Sequence, residues 1–348
     1  MKIAYVQGVE PQPSAFERLA FASVLKATSS NKSEDVDDII TRRWPTDRTA
    51  ALVAKATVAP GASGTAGWAA EVAGTAWGGF LASLAPFSVM ASIMPRGTVS
   101  PFDGFSRKLH PYRSSTAAPM SWVKELDVIP VAAYTIASAT LTPKKMATLT
   151  IFSRELMKHS DAEAIFNQIF REDAGLSLDA AYFSTDSATD ARHAGLLNGL
   201  TAGTGYGGAD AAAMQTDLAA LASTVAANGS GEVVFIGSPE RAALFPVRFA
   251  ESKVTMMGSA AVPATRVIAL DPRALVHGFN PVPDIDVSTE GTVHMSDTPL
   301  EIVDDSATVA DPVRSLFQTD AIGLRCFLEI GFAKRRSNAV AFVDGVTW

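Results

Sequence analysis

The chain has 348 residues, 47% of them hydrophobic and 19% charged, which excludes a disordered protein and leaves material for one large core or two ordinary ones. A formal net charge of −7 argues against a sequence-specific nucleic-acid binder working through a basic face. The single cysteine, Cys326, rules out an intrachain disulfide, and its apolar run 322–328 marks it as a buried structural thiol.

Residues 1–8 lack the apolar core and small-residue cleavage site of an export signal, so synthesis and residence in the cytoplasm are expected. Ser14 and Glu17 have the spacing of a capping box ahead of Phe16, Leu19, Ala20 and Leu25, predicting a helix over 14–28. The polar stretch Thr28 to Asp35 reads as a loop, Val36 to Trp44 as a second short helix, and Pro60 to Gly67 as a flexible joint. Residues 1–75 together have an arm-like character. The longest apolar stretch, Gly78 to Met94, is interrupted by Pro86 and three serines and falls short of a membrane span, so it reads as core or interface. Residues 85–112 read as short strands broken by Pro86, Pro95, Pro101 and Pro111.

From Ser121 the residue types become those of strands. Ser121 to Val131, Tyr134 to Met146 and Ala147 to Ser153 are rich in Val, Ile, Thr and aromatic residues, and Pro130 and Pro143 suit an edge that can spare a donor. Two such strands bury too little apolar surface to stand alone, so this excursion is expected to rest on a neighbouring subunit. A short helix is expected at 153–160. Ser160 or Asp161 then caps a helix of about 22 residues, about 33 Å long at 1.5 Å per residue, with Phe166, Phe170, Ala174, Leu178 and Ala181 or Tyr182 as its core face.

Trp122-Val-x-Glu125, Ile129-Pro130, Leu141-x-Pro143-Lys144-Lys145, Ser153-Arg-Glu-Leu156 and the long helix, in that order, resemble tailed-phage major capsid proteins of the Hong Kong 97 type. Ser315 to Arg325 followed by Ala339 to Val343 is similar to that family's closing helix and peripheral-domain strand, and the resemblance covers about residues 85–348. It implies an α+β, Hong Kong 97-like capsid fold. Its parts would be an N-terminal arm at 1–75, peripheral-domain strands at 76–117, an extended hairpin loop at 118–147 and a peripheral domain with the spine helix at 148–200. An axial domain at 201–310 and a C-terminal return to the peripheral domain at 311–348 would complete it. Trp122, Lys124, Glu125, Lys144 and Lys145 become candidate subunit-interface residues, and Phe166, Phe170 and Leu178 the spine-helix core, set against Val340 to Val343.

Within 201–310 the pattern alternates. Met214, Leu218, Leu221 and Val225 have helical spacing, Glu232 to Ile236 is a buried strand, Ser238 caps a helix through Phe245, and Val267 to Leu270 is another strand. Further strands are expected at 285–287, 293–295 and 300–303, completing a small α+β domain.

Motifs for chemistry are sparse. Gly203-x-Gly-x-Gly-Gly208 is followed by no Gly-Lys-Ser/Thr, so a phosphate loop, and with it a soluble α/β enzyme, is the weaker reading. His110, His159, His193, His277 and His294 stand singly, without i, i+4 pairs, which predicts no metal site; no catalytic residue or cofactor is expected. Glu232, Glu240, Asp284 and Asp286 read as surface carboxylates. Lys144-Lys145 and Lys334-Arg335-Arg336 are the basic clusters, read as solvated element ends or interface salt bridges.

The resemblance implies a structural protein that assembles with itself into pentamers and hexamers, forming a virion capsid in the host cytoplasm. Such a shell encloses double-stranded DNA without sequence-specific binding, works with a portal and decoration or scaffolding proteins, and touches no membrane. An encapsulin-like compartment is the alternative within the same architecture. Some members of the resembling family link subunits through a loop lysine and an asparagine. Lys124 is available, but residues 313–320 contain no asparagine, so non-covalent assembly is expected.

Overall fold

The structure, a computed structural model, describes residues 15–28, 35–45, 83–102, 107–109, 122–125, 127–129, 139–155, 162–227, 229–249, 254, 256–279, 284–296 and 313–348. The expected joint at 60–67 and strand at 300–303 lie outside them, as does most of the 153–160 helix. In chain order the elements are α1 (Ala15–Thr28), α2 (Val36–Arg43), α3 (Val89–Ile93), β1 (Thr98–Pro101), β2 (Arg107–Leu109), β3 (Ala139–Leu141), β4 (Lys144–Ser153) and α4 (Ala162–Tyr182). There follow β5 (Gly203–Thr204), α5 (Ala211–Ala226), β6 (Val234–Gly237), α6 (Pro239–Arg248), β7 (Met256–Gly258), β8 (Val267–Leu270) and β9 (Leu275–Phe279). The chain continues through β10 (Asp284–Ser288), β11 (Thr292–His294), β12 (Val313–Ser315), β13 (Ala321–Lys334) and β14 (Val340–Asp344).

Two compact units result, each assembled from separated stretches of chain. One comprises residues 1–84, 146–173 and 280–328. Its core joins α1 to the first half of β13: Ala20, Phe21 and Val24 meet Ile322, Leu324 and Cys326, flanked by the partly buried Trp44, Phe152, Phe170 and Val287. β10 runs antiparallel to β13, from Asp284↔Phe327 to Ser288↔Gly323, and β11 pairs with β12. Glu17 is fully buried and forms a two-pronged pair with the Arg171 guanidinium, 7% exposed at its side chain, which joins α1 to α4. Phe170 thus packs among α1 and β13 residues, where Val340 to Val343 had been expected as its partners.

Residues 315–325 do not form the closing helix expected of them. A turn covers 316–320, and the strand begins at Ala321. Asp320 adopts φ 49°, a left-handed conformation that interrupts helical winding, and the alternation of Ile, Leu, Cys and Phe beyond it suits a long strand buried on both faces.

The second unit comprises residues 85–145, 174–279 and 329–348. Its principal sheet has the order β5-β14-β8-β6-β7, and Val267, Ile268, Ala269 and Leu270 of β8 are each 0% exposed. α5 packs on it through Met214, Leu218, Leu221 and Val225, with Phe245 of α6 and Trp348 closing the same cluster. Asp210 caps α5 and Ser238 caps α6, each accepting from the third backbone N–H of its helix. β14 therefore completes the sheet of the 201–270 segment, from Val340↔Leu270 to Val343↔Val267, and does not return to the peripheral sheet as expected. Conversely, β10 joins β13 instead of the axial unit. Local patterning marks a strand, but its partner is chosen by apolar faces far away in sequence. In the same unit β1 runs parallel to β9, and β9 antiparallel to the second half of β13.

The buried face of α4 is polar as much as apolar: Asn167, Arg171, Gly175, Leu178, Asp179 and Tyr182. Gly175 is required for close packing, because a Cβ there would stand 2.9 Å from the Phe87 carbonyl oxygen. Asp179, 2% exposed, accepts from Ser88 Oγ (2.7 Å), Ser259 Oγ (2.6 Å) and the backbone N–H groups of Val89 and Met90 (3.0 Å each), so one carboxylate caps α3 and gathers three stretches of chain.

Candidate functional site

The residues expected at a subunit interface fall into two groups. Trp122 is fully exposed, Lys124 and Glu125 are exposed, and Val128 and Ile129 are 91% and 76% exposed. Residues 122–125 and 127–129 form no strand; a turn in which Asp127 N–H donates to the Lys124 carbonyl (3.1 Å) takes its place. The strand that had been expected to pair across the hairpin, β3, pairs instead with β2, and its Leu141 packs with Phe102 and Val276. The hairpin expected at 121–147 is thus replaced among the described residues by an uncovered irregular segment and a small sheet. A strand exists through its ladder, and Val and Ile propensity without a partner does not make one.

Lys144, by contrast, is held within the chain, its Nζ donating to the Asp190 carbonyl at 2.6 Å. Lys145 lies beside it at the start of β4. On the long helix, Leu178 is 3% exposed and Phe170 half-buried, while the side chain of Phe166 lies outside the described ones.

The loop at 203–208 is occupied by the protein itself. Gly203 and Thr204 pair with β14, Tyr206 N–H donates to Asp217 Oδ1 (2.8 Å), and a Cβ on Gly205 would stand 3.1 Å from the Gly345 carbonyl oxygen. The glycines allow two backbones to meet, and the amide a phosphate would want already serves a carboxylate. Asp217 Oδ2 in turn accepts from Trp348 Nε1 at 2.7 Å.

The 334–336 cluster, read from sequence as solvated or intersubunit, satisfies carbonyls within its own unit. Lys334 Nζ donates to Leu196 O (2.8 Å), and Arg336 donates to Val225 O (2.6 Å) and Ala227 O (3.0 Å) at the C-terminal end of α5. Arg336 also pairs with Asp271 at 2.9 Å. Burial would raise the Asp271 carboxyl, but hydrogen bonds from Ser230 and Arg336 outweigh it and hold it below its ordinary range. Burial pushes the Lys334 ammonium down.

The histidines are dispersed. His277 is 0% exposed; its Nε2 lies 2.7 Å from Tyr182 Oη, and burial holds its pKa down at about 4. Burial also raises the Tyr182 phenol, with Asp179 adding to the shift. His193 Nε2 lies 3.1 Å from the Ile330 carbonyl oxygen, and burial lowers its pKa. Among the described residues no group of three or more His, Cys, Asp or Glu could hold a metal ion, and no helix is long and apolar enough to cross a membrane.

The uncovered segment, the long helix and the α/β unit after it coincide with a family assignment: residues 84–246 match the Phage capsid family. That stretch of the chain is similar to phage capsid proteins. It is 26% identical over 336 residues to the capsid polyprotein of Pseudomonas phage PAJU2, a match covering 85% of this chain and 48% of that protein. The chain spans about half the length of the curated relative it matches. Similar solved structures are those of Mycobacterium phage Adephagia (12% identity, TM-score 0.49) and Microbacterium phage Oxtober96 (11%, 0.49), each covering 74% of this chain and 90% of the other. A third is the satellite phage P4 procapsid including size determination protein (10%, 0.46), covering 77% of this chain and 90% of the other. The chain itself has the mixed helices and sheets that the α+β reading of the sequence expected.

Proposed function

We propose that many copies of this chain assemble as pentamers and hexamers into an icosahedral head that encloses double-stranded DNA of a tailed phage or prophage-derived particle, and that it catalyses no reaction. The observation that carries the reading is the stretch 122–125 and 127–129, where Trp122, Val128 and Ile129 stand in solvent, Trp122 and Val128 being the two most exposed large hydrophobic side chains among the described residues. Covering three such side chains would release about 1.5 to 3 kcal/mol each in transfer terms, of which only a surplus remains after association entropy. Each subunit engages several neighbours, so modest contacts sum by avidity without covalent links. Trp122, Lys124 and Glu125 belong to this interface region, Lys145 is a further candidate, and Lys144 joins them only by giving up its bond to the Asp190 carbonyl; a portal and decoration or scaffolding proteins complete the particle. The net charge of −7 suits a wall that contains DNA without reading it.

Purified protein examined by negative-stain microscopy should show closed shells. Boiled in detergent, those shells should run as a single band near 36.5 kDa. Persistence as a monomer across concentrations and salts would overturn the assembly reading, and a ladder of heat-stable multimers would overturn the non-covalent one.

A further inference from the structure

In the unit that contains α1, an open groove of about 490 Å³ runs between the end of β4, the β11–β12 pair and the turn before β13. Ile151, Phe152, Met295 and Leu316 make its apolar lining, and Arg314 and Thr319 bring polar groups to it. Arg314 is exposed and has no salt-bridge partner among the described residues. Met295 is 43% exposed. Aromatic side chains bury about 150–250 Å² each, so an indole seated against these walls would supply most of the apolar burial of a contact.

We propose that this groove receives Trp122 of a second copy of the chain, with Glu125 or Asp127 of that copy paired to Arg314. The occupant is argued from complementarity. Trp122 is the most exposed large apolar side chain described, at 105%. Two carboxylates, Glu125 and Asp127, follow it within five residues, both exposed and both near a turn that holds them on one short loop. The groove offers the converse: apolar walls and a guanidinium with no salt-bridge partner among the described residues, whose planar geometry suits both stacking on an indole and pairing with a carboxylate. A rim charge of this kind orients the docking, and the aromatic anchor supplies the burial. This inference rests on the proposed assembly and names the receptor for its exposed segment.

The test mixes two full-length variants, tagged Val123→Cys and untagged Met295→Cys, during shell assembly under mild oxidation. The native Cys326, 4% exposed, stays out of the reaction. A tagged–untagged disulfide pair is expected, whereas Val123→Cys mixed with Val247→Cys, which lies on α6 in the other unit, should give background only. Arg314→Glu should weaken assembly by about tenfold in the concentration required, with Glu125→Arg recovering it if Glu125 is the partner and Asp127→Arg if Asp127 is. Cross-linking to position 247 but not to 295 would overturn the groove while leaving the shell intact. So would a Val123→Cys/Met295→Cys double variant that closes on itself in dilute solution. Absence of shells from the unmodified protein would instead overturn the assembly reading on which the inference stands.

Discussion

Val267-Ile-Ala-Leu270 and Val128-Ile129 are built from the same residue types and end in opposite environments. The first stretch lies between β14 and β6 under α5, every residue at 0% exposure; the second has no sheet neighbour among the described residues and stands 91% and 76% exposed. Intrinsic propensity is equal in the two, so what separates them is whether the chain itself supplies a facing apolar surface. The comparison teaches that an uncovered aliphatic pair is information about what lies outside the chain, which is where the proposed assembly places its neighbours.

The largest expected effect breaks the comparison outright. Replacing residues 123–137 with a short Gly-Ser linker, which leaves β3 and Leu141 in place, should abolish shells while the thermal midpoint of the subunit changes little. Unfolding of the subunit would show that the segment belongs to a core. Next comes Asp179→Ala, which strands two hydroxyls and two backbone N–H groups in a buried site. It should cost about 3–5 kcal/mol in denaturant titration. A direct contrast follows from Ile268→Ala, expected to destabilise by about 3 kcal/mol, against Ile129→Ala, expected to change subunit stability by less than about 0.5 kcal/mol while weakening assembly. Equal effects would remove the distinction.

His277 sharpens the buried side of it. Its folded pKa of about 4 lies below the ordinary 6.5, so between these values the unfolded chain binds more protons, and stability falls as pH drops from about 6.5 to 4. The loss should approach about 3 kcal/mol at pH 4 and shrink in His277→Gln, read by thermal melts across that range. The smallest effect is expected at the surface pair Arg325–Asp286, about half exposed on both sides, where Asp286→Asn should shift stability by less than about 0.5 kcal/mol.

Helices and strands with local signals were readable from sequence. α5 follows from apolar spacing and α6 from the Ser238 cap, α1 and α2 lie where they were expected although Glu17, read as half of a capping box, pairs with Arg171 instead, and α4 at 21 residues lies within one of the expected length. What was hidden is the identity of partners. The stripe through Phe170 suggested the core face of α4, yet the helix buries Asn167, Arg171 and Asp179, because Glu17, Ser88 and Ser259 arrive from distant stretches to satisfy the charged groups. A charged residue looks solvent-facing until its counterpart is known. The same holds for Lys334 and Arg336, whose carbonyl acceptors at 196, 225 and 227 carry no mark in the sequence. Of the interface candidates, exposure singles out Trp122 within its aliphatic neighbourhood, whereas nothing in Lys144 announced its tie to Asp190.

The position of β14 between β5 and β8 also sets a timetable. Residues 340–344 fill the middle of a sheet whose other strands emerge from the ribosome long before them, and Glu17 waits 154 residues for Arg171. Until those residues are released, β8 has an open edge and Glu17 lacks its partner. An unpaired edge is a template for pairing with another chain, so this topology leaves β8 open to such contacts for as long as β14 is unsynthesised.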